Sequence, residues 1–240
     1  MIDFHTHILP EIDDGSSSAE ESVVLLRKLK EQGVDSVILT PHFYAYSYSA
    51  EAFDETRSDS VKRLHEALRQ KPIDIEIYLG CEVLYFEELW RVENLKSFCI
   101  KGTDYILIEM PFSEWTDTMI RAIEKIMGKG ITPVIAHFER YIKYRGNQSK
   151  IYELLEMGAL LQMNCSFLNS FFTKRQAIKF IKKGMVAFLG TDCHNLTDRT
   201  PNYYNADKYL KKKLSDRQYA SFISRQKRFL SHAEKIYPKQ

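Results

Sequence analysis

Residues 1–7 read Met1-Ile2-Asp3-Phe4-His5-Thr6-His7, and residues 186–194 read Val186-Ala187-Phe188-Leu189-Gly190-Thr191-Asp192-Cys193-His194. Each is an apolar run of strand length that ends in imidazoles or carboxylates. Alternate residues of a strand share a face, so His5 and His7 can present two imidazoles to one ion. Between these two segments the same pattern recurs, with an apolar strand, a polar end and then an amphipathic helix.

Working along the chain, Ser18-Ala19-Glu20-Glu21 has the form of a capping box, and Val23, Leu26 and Leu29 continue a helical stripe that stops at Gly33. Strands are predicted at Val34 to Thr40, Ile73 to Leu79, Asp104 to Met110, Thr132 to His137, Ala159 to Asn164 and Val186 to Asp192. Helices are predicted at Glu51 to Gln70, Glu87 to Phe98, Thr118 to Gly128, Lys150 to Met157 and Lys174 to Lys183, and further helices close the chain. Strands that are continuous apolar runs indicate a parallel sheet covered on both faces. An open doubly wound sheet would concentrate its ligand at one switch point, whereas a barrel gathers groups from nearly all its strand ends.

The strand ends decide between them. They carry His5, His7, His42, Glu82, Glu109, His137, Asp192 and His194, five of the seven histidines in the chain. The other two, His65 and His232, fall in predicted helices and are expected on the surface. The expected fold is therefore a single α/β domain over residues 1–240, a distorted barrel of about seven βα units with its site at the C-terminal mouth. Its 240 residues, 44% of them hydrophobic, are ample for one core.

With Asp14 the candidate metal ligands number nine, five imidazoles and four carboxylates. One ion cannot use nine donors, so two or three ions are expected. The nitrogen and oxygen donor set without thiolate suits Mn, Fe or Zn. Clustered divalent ions activate water and hold phosphoryl oxygens, which points to a hydrolase. Arg140 and Arg199 stand beside ligands in sequence and match phosphate oxygens in pairs, serving as candidate substrate-binding and catalytic groups. The expected grouping puts His5, His7, Glu109 and Asp192 on one ion, with Glu109 bridging to a second ion near His137. Asp14, His42, Glu82 and His194 share the remaining positions. Phe43, Tyr44, Tyr46, Tyr48, Tyr85, Phe86, Trp115, Tyr203 and Tyr204 are candidates to line a groove for an aromatic phosphoester.

These segments, together with Thr40-Pro41-His42, Gly80-Cys81-Glu82, His137-Phe138-Glu139-Arg140-Tyr141 and Asp192-Cys193-His194-Asn195, resemble the polymerase and histidinol phosphatase (PHP) superfamily. Within it, they are similar to the bacterial manganese-dependent protein-tyrosine phosphatases of capsule and exopolysaccharide loci. The resemblance runs from Met1 to about Tyr203. It implies a distorted (β/α)7 barrel, three metals on the nine ligands, phosphate binding by Arg140 and Arg199, and phosphotyrosine on a cognate autokinase as substrate. A metal-bridging hydroxide would be the nucleophile, with no phosphoenzyme. Phe43 follows His42 where some relatives carry a further polar residue.

Two other phosphatase readings share these residues. A small-molecule phosphatase, such as one for histidinol phosphate, or another phosphoesterase could use the same site. Cys193 to Arg199 also satisfies Cys-x5-Arg, the minimal pattern of thiolate phosphatases, but without glycine in the loop and with Asp198 set against phosphate.

The rest of the composition narrows the class. Net charge is +2, and no apolar run approaches the length of a membrane span. Cys81, Cys99, Cys165 and Cys193 are scattered without paired spacing, as expected of reduced thiols in the cytoplasm. Lys208, Lys211, Lys212, Lys213, Arg217, Arg225, Lys227 and Arg228 give the last forty or so residues a basic bias, read as a solvated helix face or as a surface steering an anionic partner. No nucleic-acid module is expected, and no pattern specifies an oligomer.

Overall fold

Apolar runs that must bury both faces pair in parallel, and this arrangement organises residues 1–237, which the computed structural model describes. Strand β1 (Ile2–Thr6) lies beside β2 (Ser36–Leu39), which lies beside β4 (Glu76–Leu79). At Thr40-Pro41 and again at Gly80-Cys81 the chain steps out of register, then resumes as β3 (His42–Phe43) and β5 (Glu82–Leu84), aligning His42 with Glu82. Proline has no N–H for a ladder, and a Cβ at Gly80 would press on Ile100 Cγ1 at 3.2 Å. From β5 the sheet continues in parallel through β6 (Tyr105–Glu109), β7 (Thr132–Ile135), β8 (Leu160–Asn164) and β9 (Phe188–Gly190).

The sheet is strongly curled, so the segment after β9 returns to β1. Asp192 N–H donates to the His5 carbonyl (2.8 Å) and His7 N–H to the Cys193 carbonyl (2.9 Å). Inside the curl pack Ile2, Phe4, Ile38, Leu107, Val134 and Phe188, with the Phe4 and Phe188 rings stacked at 3.7 Å. Outside it, helices α1 (Ala19–Glu31), α2 (Ala50–Gln70), α3 (Asp117–Met127), α4 (Asn147–Met157), α5 (Cys165–Asn169) and α6 (Lys174–Lys182) cover the other face. Two apolar layers explain why the strands lack polar alternation.

The structure corrects five local expectations. Ser18 caps α1 by accepting the Glu21 N–H at 3.1 Å, but Glu21 returns to the N–H and hydroxyl of Ser17, so the box is displaced by one residue. A reciprocal capping box is instead present at Ser215 and Gln218, opening α8 (Asp216–Phe229). The helix expected over Glu87 to Phe98 is two 3-10 turns, Leu89–Arg91 and Leu95–Phe98. Leu89, Leu95 and Phe98 are all buried, and one α-helix would rotate the last two roughly half a turn from the first.

Helices α7 (Tyr203–Lys213) and α8 do not end the chain, because β10 (Lys235–Tyr237) adds antiparallel to β4. Below Gly80 the edge of β4 is not paired with β6, and an open edge is a template for a further strand. His65 is half-buried on α2 near Tyr237 of that strand rather than freely exposed, and burial lowers its pKa. His232 is exposed but lies in the turn after α8, outside any helix. Among the described residues no helix is long and apolar enough to cross a membrane.

Candidate metal centre and active site

Parallel strands all point their C-terminal ends the same way, so the polar residues that terminate them meet at one mouth. All nine sequence-selected donors lie there in one connected set of contacts. His5 Nε2 and His7 Nε2 are 3.0 Å apart, and both face Glu82 Oε2, at 3.0 and 3.2 Å. His42 Nδ1 reaches the same oxygen at 3.2 Å, while Glu82 Oε1 meets His137 Nε2 at 3.0 Å. Asp192 Oδ1 lies 3.6 and 3.5 Å from His5 and His7, and Glu109 Oε1 lies 3.4 Å from His137. At the rim, Asp14 Oδ1 is 3.6 Å from His42 and 3.4 Å from His194.

This geometry revises the expected grouping. Glu82, fully buried, is the carboxylate in the middle, touching His5, His7, His42 and His137, whereas Glu109 stands to one side beside His137. The donor sets close enough to share an ion are His5, His7 and Asp192; His42, Glu82 and Glu109; and His7, Asp14, His42 and His194.

The imidazole tautomers test whether these residues fit metal. Gln162 Oε1 accepts the His137 N–H at 2.7 Å, which orients that amide, and the same oxygen faces His5 Nδ1 at 3.0 Å. Asp13 Oδ2 faces His7 Nδ1 at 2.7 Å. Both Nδ1 atoms therefore donate outward, so that in the neutral imidazoles the two Nε2 lone pairs are aimed at one another and at a carboxylate. Lone pairs so placed repel unless a cation lies among them. The residues fit divalent ions.

The field agrees. Burial alone would lower the pKa of His7, yet Asp13 and Glu82 push it up to about 10; burial is likewise outweighed at His137, pushed up to about 9 by Glu109 and Glu82. Burial would raise the Glu82 carboxyl, but His5 and His137 hold it well below the usual range. A basin that draws protons onto its imidazoles offers the same attraction to a metal cation.

Arg140 and Arg199 converge on Asp192 from different elements. Arg140 Nη2, in the turn after β7, donates to Oδ2 at 2.6 Å, and Arg199 Nη2, after β9, donates to Oδ1 at 2.6 Å. Each side chain is still 37% exposed, and Arg199 Nη1 also lies 2.7 Å from His194 Nε2.

Residues that sequence reading missed form a supporting layer. Asn164 Nδ2 donates to Asp192 Oδ2 at 2.8 Å and its Oδ1 accepts from Gln162 at 2.9 Å. Asp3 accepts the N–H and hydroxyl of Thr191 at 2.8 and 2.5 Å, and burial raises its carboxyl to about 7. Asp3 stands two residues before His5 in the sequence, as Gln162 does before Asn164, so polar residues two apart in apolar strands were the available signal. Buried Glu139 carries no such signal; burial pushes it up to about 7. Backbone strain gathers here too, with φ of 29° at His137 and 55° at Asp192.

The expected aromatic groove is narrower than supposed. Phe43, Trp115 and Tyr203 are buried in the core. Tyr44 stacks on His42 at 4.9 Å, and the exposed Tyr46 stacks on Tyr44 at 5.4 Å. Across the basin Phe112, absent from the sequence selection, is half-exposed and stacks on His137 at 5.8 Å. Cys193 is fully buried, and burial pushes its thiol well above the ordinary range. It is no thiolate nucleophile.

A curled parallel sheet with imidazoles, carboxylates and two guanidinium groups at its mouth defines the class of metal-dependent hydrolases. Residues 1–230 match the family model for capsular polysaccharide synthesis, CpsB/CapC, and the chain belongs to that family. It is 30% identical to the tyrosine-protein phosphatase CpsB of Streptococcus pneumoniae, over 89% of this chain and 90% of that protein. It is also 30% identical to the tyrosine-protein phosphatase YwqE of Bacillus subtilis, over 86% and 82%. A chain from the crystal structures of YwqE and CpsB, described as unique metal-dependent tyrosine phosphatases, superposes with a TM-score of 0.84 at 27% identity, covering 100% of this chain and 98% of its own. A chain of archaeal ribonuclease P shares the fold alone, with a TM-score of 0.57 at 14% identity.

Proposed function

We propose that this chain is a metal-dependent protein-tyrosine phosphatase of a capsule or exopolysaccharide system, acting in the cytoplasm on a tyrosine autokinase. We read residues 1–240 as one PHP-type domain, and the curled sheet as a distorted (β/α)7 barrel. The observation that carries the reading is the placement of Arg140 and Arg199, two half-exposed guanidinium groups meeting at Asp192 on the edge of the imidazole and carboxylate basin.

His5, His7, Asp14, His42, Glu82, Glu109, His137, Asp192 and His194 would hold two or three divalent ions, with Mn the first choice and Fe or Zn compatible with the same donors. Bound there, such ions supply an activated water and Lewis acidity toward phosphoryl oxygens. The chain supplies the rest. Arg140 and Arg199 pair with non-bridging phosphoryl oxygens and offset the charge that develops on transfer. Asp13 and Gln162 hold His7 and His5 with Nε2 facing inward. Tyr44 and Phe112 offer faces for the substrate ring, a role the small imidazole of histidinol phosphate would use less fully.

The test is phosphate release from a phosphotyrosine peptide and from histidinol phosphate, each with and without chelator. The peptide should be preferred, chelator should abolish turnover, and Cys193→Ser should retain most of it. Preference for histidinol phosphate would demote the tyrosine reading, and chelator-resistant activity lost in Cys193→Ser would overturn the metal reading. Substituting Tyr44→Ala or Phe112→Ala should raise KM for the peptide about fivefold, with kcat within about twofold of the parent. A fall in kcat at unchanged KM would instead assign these rings to the chemical step.

A further inference from the structure

Phe171 and Phe172 stand out from the surface at 75% and 91% exposure, their rings edge to face at 5.8 Å. Adjacent phenylalanines so free of packing are unusual in a soluble fold, since neither is withdrawn from water by its own chain. The two rings border a shallow depression of about 600 Å³ whose other lining residues are Tyr209, Lys174, Arg175, Lys212 and Lys213, with no acidic residue among them. Lys174 Nζ sits 4.8 Å over the Phe171 ring. The nearby Asp207 is buried and bound to Lys211 and Tyr219, leaving the cations of this face uncompensated.

We propose that this tip is a docking surface for an anionic lipid bilayer, with Phe171 and Phe172 entering the headgroup boundary and the surrounding lysines and arginine meeting lipid phosphates. Charge complementarity selects an anionic partner. Protrusion selects a bilayer over a peptide, because rings 75% and 91% exposed only border the depression and do not enclose it as a pocket for a side chain. The tip lies between α5, which begins directly after the C-terminal end of β8, and α6, which leads back toward β9. It therefore sits at the same end of the sheet as the catalytic mouth, so a docked molecule would turn that mouth toward substrates near the membrane. The inference stands apart from the phosphatase reading.

The test is flotation of the full chain with vesicles of phosphatidylcholine alone or mixed with phosphatidylglycerol, at low and high salt, alongside thermal melting. Binding should require phosphatidylglycerol and weaken with salt. Phe171→Ser/Phe172→Ser should reduce it about tenfold or more, and each charge removed by Lys212→Gln or Lys213→Gln roughly fivefold, with melting temperatures unchanged. Equal binding to neutral vesicles, no binding to either kind, or binding indifferent to the phenylalanines would overturn the proposal. So would a self-association of the chain lost in the double variant, with vesicles ignored, which would give the face to a second copy.

Discussion

Glu82→Gln is expected to reduce kcat/KM on the order of a thousandfold and to lower the bound metal measured by elemental analysis. The substitution keeps volume and shape, so circular dichroism should be unchanged, but it replaces the charge that four imidazoles share with a neutral amide. Glu109→Gln is the informative partner. Because Glu109 stands beside His137 at the edge of the basin, its loss should have a smaller effect, about tenfold to a hundredfold. Equal effects, or a larger one at Glu109, would restore the grouping expected before the structure and displace Glu82 from the centre.

The second large effect is expected at Gly15, which carries no functional group. A Cβ there would overlap the His7 carbonyl oxygen and lie 2.7 Å from His7 Cβ and 2.8 Å from Asp13 Oδ1. The Gly15 N–H donates to Asp13 Oδ1 at 2.9 Å, and the next residue, Ser16, donates its N–H to the His7 carbonyl at 3.0 Å. Gly15→Ala must therefore push the loop outward. That movement withdraws Asp13 from His7 and from the His42 N–H, and carries Asp14 away from His42 and His194. A loss of roughly 3 kcal/mol is expected from overpacking, about 8 °C in melting temperature for a chain of this size. Loss of the outer support should also weaken metal binding tenfold to a hundredfold, read by titration against a competing chelator. Parental melting and affinity in Gly15→Ala would show that the loop moves freely and does not hold the imidazoles.

Eight of the nine candidate donors were legible because they stand at or just past the ends of apolar strands, with Asp14 in the loop behind the first, and a parallel sheet gathers strand ends whatever its detailed curvature. Their sharing was not legible. Which carboxylate sits between which imidazoles depends on how far each strand advances past its neighbour, and the breaks at Thr40-Pro41 and Gly80-Cys81 bring Glu82 level with His42. The helix expected over Glu87 to Phe98 failed for another reason, since its three buried anchors demand faces that one helix cannot supply together. Strand β10 escaped notice because an exposed, three-residue edge strand has almost no pattern of its own; it exists because β4 leaves an edge uncovered. Phe112 was passed over as one aromatic among many, and only its stacking on His137 sets it apart.

The return of the last strand to the first also bears on how the molecule is made. Asp3 is held by Thr191, 188 residues away, and His5 by Gln162, 157 residues away. Strand β1 thus has its partners more than 150 residues later in the chain, and contacts of such separation are the slowest to close. A nascent chain that ends before Asp192 lacks both its last carboxylate and the backbone hydrogen bonds that seat His5 and His7. No chain shorter than 194 residues contains the whole basin, which ties the arrival of function to the closing of the sheet.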